Sequence, residues 1–173
     1  MSQLPSLSFT SSTESSLLVR DVAGSYRPAE PAEVLQAALR VLAGQLRGAE
    51  MLSSPQAVRD FLRIKLGALE HEVFAVIHLD AQHRVIEYVE MFRGTVTQTS
   101  VYPREVVKEA MAHNTAAIVL VHNHPSGVAE PSRADEHLTQ TLKSALSLVD
   151  VRVIDHLIVA GPTILSFAER GLI

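Results

Sequence analysis

The chemistry in this chain is concentrated in one stretch, Val121-His122-Asn123-His124-Pro125-Ser126-Gly127-Val128-Ala129-Glu130-Pro131-Ser132-Arg133-Ala134-Asp135. Imidazole and carboxylate are side chains that hold a borderline-soft cation such as zinc. In an extended segment residues two apart project to the same side, so His122 and His124 can aim both rings at one point. The chain then turns between Pro125 and Pro131, and Asp135, one turn into the next helix, can swing its carboxylate toward the same point. Three such ligands leave a fourth position for water, whose pKa zinc lowers to about 7. A glutamate one hydrogen bond away would carry the proton from that water to a leaving amine. Ser132, at the helix start between the ligand segments, could supply a donor where a carbonyl oxygen turns negative.

The same letters have plainer readings. Ser132-x-x-Asp135 ahead of an apolar helix is also the pattern of a capping box, and the two readings hold together. A bare His-x-His beside a strand can be a pair of turn histidines bonded to backbone; the combination with Asp135 is what points to a metal. No cysteine occurs among the 173 residues, which removes disulfides, thiolate zinc sites and cysteine nucleophiles. Any metal must therefore rest on His, Asp and Glu.

The elements that must position these residues are legible from periodicity. Apolar residues are 47% and charged residues 20% of the chain, the balance of a folding globular domain, and the length fits one core with an appendage. Residues 1 to about 28, with the tract Ser11-Ser12-Thr13-Glu14-Ser15-Ser16, read as a flexible arm. Val34, Leu35, Ala38, Leu39, Leu42 and Leu46 form one helical stripe ending near Gly48, and Ser54-Pro55 is an N-cap signal for a second helix to about Leu66. Val73 to Leu79, the turn at Asp80 to His83 and the run Val85 to Phe92 predict a hairpin, with Gly94 interrupting a strand pattern that continues through Thr95 to Thr99. A helix from Pro103 to near Asn114, a buried strand Ala116 to Val121, a polar turn His122 to Pro131, a helix Ser132 to about Leu148, and strands Val151 to Val159 and Ile164 to Phe167 complete the chain. Strands and helices interleave, so the fold class is α/β or α+β with a mixed sheet.

His-x-His, seven residues, then Ser-x-x-Asp resembles the JAMM motif of the MPN-plus metalloproteases, matching at all four positions. The strings Val101-Tyr102-Pro103-Arg104-Glu105-Val106, His122 through Gly127 and Asp155-His156-Leu157-Ile158-Val159 are similar to the RadC family, and the likeness runs from about Ala57 to Ile173. The resemblance implies a JAB/MPN domain with a cytidine-deaminase-like architecture and one zinc on His122, His124 and Asp135. It further implies that Ser132 assists a tetrahedral intermediate, and that a glutamate at the start of the first core strand moves the proton. Glu72 takes that position because it directly precedes the apolar run; Glu70 is its rival, and Glu90 and Glu105 are weaker candidates. Residues 1–56 carry no Gly-rich helical hairpin, so the chain looks like the short RadC-like proteins. The expected division is an arm over 1–30, a helical extension over 31–50 and the JAB/MPN domain over 51–173.

The expected function is zinc-dependent hydrolysis of a peptide or isopeptide bond, with a peptide or protein substrate. A DNA-repair factor or nuclease is the alternative from another class; the net charge of −4 and pI near 6.0 weigh against it. The contiguous His-Asn-His is not an HNH nuclease, and the cysteine ligands of a zinc deaminase are absent. A zinc-binding scaffold without turnover is the third reading. With no apolar run near the ~20 residues of a membrane span and no secretory start, the expected compartment is the cytoplasm. Of the other histidines, His156 is a candidate support for the metal ligands, while His71, His78, His83, His113 and His137 have bland readings.

Overall fold

The computed structural model describes residues 17–49, 51, 55–94 and 100–173. The serine-threonine tract, the Ser54 cap and the strand pattern over 95–99 lie outside the described residues. The chain divides within its first helix into two compact units, 1–38 and 39–173.

In the first unit the arm expected over 1–30 contains a short hairpin. Strands β1 (Leu18–Arg20) and β2 (Tyr26–Pro28) pair antiparallel. Asp21 makes the turn: its Oδ1 accepts from the N–H groups of Ala23 and Ser25, both at 2.9 Å, and Gly24 takes φ +86°. Three-residue strands carry almost no periodic signal, which is why the pattern reads as loop. Helix α1 (Pro31–Leu46) then begins, with Glu33 accepting both Arg27 guanidinium bonds at 2.8 Å.

The second unit is built on a five-stranded sheet. Its strands are β3 (Val73–Leu79), β4 (Val85–Arg93), β5 (Ala117–Asn123), β6 (Arg152–Ala160) and β7 (Thr163–Ser166), in the order β4-β3-β5-β6-β7. All pairs are antiparallel except β5–β6, which are joined by the crossover helix α4 (Arg133–Ser147). Helices α2 (Pro55–Leu66) and α3 (Pro103–Ala112) precede β3 and β5. The expected mixed α/β sheet is therefore present.

Both faces of the central strands are covered, so β3 and β5 are buried at every position and read as unbroken apolar runs. Alternation sorts their side chains. Val73, Ala75, Ile77, Ala117, Val119 and Val121 pack with Val58, Phe61, Leu62 and Leu66 of α2, while Phe74, Val76, Ile118 and Leu120 pack with Val106 and Ala110 of α3 and Leu142 and Leu146 of α4. Leu39 and Leu42 of α1 lean on the α2 side, but Leu35 is exposed and falls out of the expected stripe. Past α1, the N–H of Gly48 bonds the Val85 carbonyl at 2.8 Å and that of Val85 bonds the Ala49 carbonyl at 3.0 Å, covering the start of the edge strand β4.

One boundary matters for chemistry. The sequence ends the fifth strand at Val121 and begins a polar turn at His122, whereas β5 continues through Asn123. Pairing of Phe74 with His122 and of Asn123 with Val159 keeps the segment extended. Residue polarity suggested a loop, but a two-sided ladder outweighs that local preference.

Candidate metal centre

His122 shares the parity of Ile118 and Leu120, so it projects from the end of β5 toward the α4 side of the sheet. Two residues on, His124 points the same way, and its backbone N–H is held by the Val159 carbonyl at 2.8 Å. Asp135 sits in the first turn of α4, which the β5–β6 crossover brings over the same strand end. One ligand atom from each of the three residues lies within 4.8 Å of the other two, and no other group of three or more metal-capable side chains occurs among the described residues. The His122 and His124 Nε2 atoms are 2.9 Å apart; Asp135 Oδ1 is 3.2 Å from the first and Oδ2 is 3.6 Å from the second. The side chains are 9%, 14% and 15% exposed, so the cluster is shielded yet reachable.

The donor set fits a cation. His124 Nδ1 donates to the Val128 carbonyl at 2.7 Å, so the neutral ring leaves a lone pair on Nε2, aimed at His122 and the carboxylate. Asp135 divides its two oxygens. Oδ2 accepts from the Ser132 N–H at 2.7 Å and from Ser132 Oγ at 2.6 Å, closing a capping box with the return bond from Asp135 N–H to Ser132 Oγ at 3.2 Å. Oδ1 is left facing the imidazoles. The capping-box reading of Ser132-x-x-Asp135 is thus present, and it leaves room for the metal reading in the same geometry. Electrostatics agree: burial opposes ionisation of Asp135, but the hydrogen bonds from His122 and His124 outweigh it and hold the carboxyl far below its usual range. The His124 pKa is raised, chiefly by the bond to Asp135. Positive charge is favoured at this point.

Glu72 is half-buried just before β3, and its charge is the last of the causes that raise the His124 pKa, after the bond to Asp135. Glu70 is exposed. Glu90 is tied to Lys65 of α2 at 2.8 Å, and Glu105 lies beside Lys108 and Arg104 on α3, at 3.5 and 3.6 Å.

Two residues with no sequence-level assignment hold this arrangement. Asn123, 1% exposed, accepts from the Val73 N–H at 2.8 Å and donates to the His71 carbonyl at 3.0 Å, gripping the backbone on both sides of Glu72. The sequence carried no signal for it, because Asn123 reads as part of the polar turn that β5 in fact extends into. Thr139, fully buried, lies one turn beyond Asp135 and bonds the Asp135 carbonyl at 2.6 Å and His156 Nδ1 at 2.7 Å. His156 Nε2 in turn meets His122 Nδ1 at 2.8 Å, so the histidine expected to support the ligands touches one of them.

Comparison with known proteins bears on this geometry. A family model described as RadC-like JAB domain matches residues 52–172. A UPF0758 protein of Leptothrix cholodnii is 61% identical over 150 residues, covering 87% of this chain and 68% of its own length. Others from a Polaromonas species and from Nitrosomonas eutropha are 59% and 60% identical, covering 87% and 81% of this chain and 67% and 62% of their own lengths. The chain thus spans about two thirds of the length of these curated relatives.

Proposed function

This chain belongs to the RadC-like JAB domain family, and from that membership and its His-His-Asp cluster we propose that it is a zinc-dependent hydrolase of peptide or isopeptide bonds. The observation that carries the reading is the convergence of His122, His124 and Asp135 at the end of β5. His122 and His124 would hold the metal through Nε2, and Asp135 through the oxygen its capping box leaves free. When bound, zinc supplies Lewis-acid activation of water and of a carbonyl oxygen near neutral pH.

The chain's own groups supply the rest. Glu72 takes the proton from the attacking water and returns it to the leaving amine, with the Asn123 clamp fixing the backbone that carries it. Ser132 Oγ has one hydrogen, which in the resting geometry goes to Asp135 Oδ2. Turning that hydrogen outward would stabilise the oxygen that becomes negative, while the Ser132 N–H keeps its bond to Asp135.

Zinc titration and a panel of lysine-isopeptide-linked peptides test the proposal. Wild type is expected to hold about one zinc per chain; His122→Ala is expected to lose it. Glu72→Gln should keep the metal and lose roughly 10²- to 10⁴-fold in hydrolysis, with Glu70→Gln near wild type. A wild-type chain that binds no zinc would end the hydrolase reading, and loss in Glu70→Gln alone would transfer the proton role.

A further inference from the structure

We infer that Thr139 and His156 form a directional hydrogen-bond relay that fixes which nitrogen of His122 faces the metal, making both of them positioning residues of the centre. The inference rests on the metal reading above and adds to it two buried residues that bind nothing themselves.

The direction of the relay follows from its fixed end. The Asp135 main-chain carbonyl can only accept, so Thr139 Oγ, 2.6 Å away, gives it its single hydrogen. The same oxygen is then an acceptor toward His156 Nδ1 at 2.7 Å, and Nδ1 must carry a hydrogen. His156 is fully buried, with the Phe167 ring at 4.7 Å and the Phe74 ring at 6.2 Å between centroids. Among the described residues no carboxylate bonds either ring nitrogen, so a second hydrogen would place an unpaired charge among aromatic side chains. Nε2 of His156 is therefore an acceptor, and the 2.8 Å contact requires a hydrogen on His122 Nδ1. The neutral His122 ring is left with its lone pair on Nε2, the atom 2.9 Å from His124 Nε2 and 3.2 Å from Asp135 Oδ1.

The path begins and ends at metal ligands. It starts on the backbone of Asp135, crosses from α4 to β6 through Thr139 and His156, and returns to β5 at His122. The other tautomer of His122 would leave two lone pairs face to face at this contact and the other tautomer of His156 two hydrogens, while a flip of the His122 ring would replace the bond by a C–H. With His124 Nδ1 fixed independently by the Val128 carbonyl, both imidazoles turn Nε2 to the same point, and there each ring in its neutral form offers its lone pair.

Long-range ¹⁵N–¹H spectra of the metal-free chain, taken above pH ~7.5 where unperturbed imidazoles are neutral, read these tautomers directly. Wild type is expected to show hydrogen on Nδ1 of both His122 and His156; hydrogen on Nε2 of either ring overturns the inference, whatever the variants do. Thr139→Val keeps the side chain's size and deletes the directing hydroxyl. It is expected to mix the His156 tautomers and weaken zinc binding by roughly 10- to 100-fold, and Thr139→Ser is expected to restore both. Unchanged tautomers and zinc affinity in Thr139→Val would also overturn it. Should wild type bind no zinc, the metal reading fails, while the spectra still decide the relay.

Discussion

Removing the Asn123 side chain separates the placement of Glu72 from the holding of the metal. In Asn123→Ala the Val73 N–H loses its acceptor in a fully buried position, and such an orphaned donor costs about 1–3 kcal/mol. The His71 carbonyl loses its partner where it is partly buried and water can replace it, a loss of at most about 1 kcal/mol. The expected total is about 1–4 kcal/mol, which at this chain length lowers Tm by roughly 2–16 °C. Urea unfolding with metal chelated should show that loss in the midpoint with m unchanged, so that no binding contribution enters. Because His122 and His124 project from β5 by alternation to the side opposite Asn123, zinc affinity should stay near wild type. Hydrolysis should fall by about 10²-fold as Glu72 drifts. A stability change under about 0.5 kcal/mol, the level of an ordinary surface substitution, would refute the clamp. Loss of zinc and activity in parallel would refute the division of labour.

Ser132→Ala removes both bonds made by the Ser132 hydroxyl and leaves the Ser132 N–H bond to Asp135; it should cost about 1 kcal/mol by chemical denaturation, and unchanged stability would contradict the capping geometry. His78 yields a pH prediction. Its ring is fully buried, its Nε2 has no partner among the described residues, and burial followed by the charge of the stacked His113 lowers its pKa to about 4. The folded state disfavours the protonated ring, so this contribution is intact above the unfolded pKa of about 6.5 and is lost as pH falls toward 4. With metal chelated, folding stability should drop by up to about 2 kcal/mol between pH ~7.5 and ~5. His78→Leu should flatten that slope, and an equal slope in the variant would assign it to other groups.

The elements were legible where one physical signal dominated. Two-sided burial wrote β3 and β5 as apolar runs, and the Pro103 start and the Ser132 cap marked α3 and α4. The hairpin β1–β2 was not legible, because Asp21 and Gly24 write a turn but three-residue strands do not write a period. Leu35 illustrates the opposite error: it sits in a helical stripe by spacing and is exposed, since periodicity states which residues share a face and not how far along the helix that face is covered.

The His-His-Asp cluster was readable because its geometry is local: two residues at the end of one strand and a third one turn into the next helix. What supports them is not local. Asn123 was written between the two histidines, yet its partners are about fifty positions away, at His71 and Val73. Thr139 and His156 meet because the crossover that joins the parallel strands β5 and β6 packs α4 against β6. Sequence spacing can suggest that a side chain reaches a metal, but it does not encode the direction of a hydrogen bond. That direction came from one main-chain carbonyl, Asp135, which has no choice about being an acceptor. Once it is fixed, each hydrogen along Thr139, His156 and His122 follows, and the tautomer of a ligand on β5 is set by the backbone of α4.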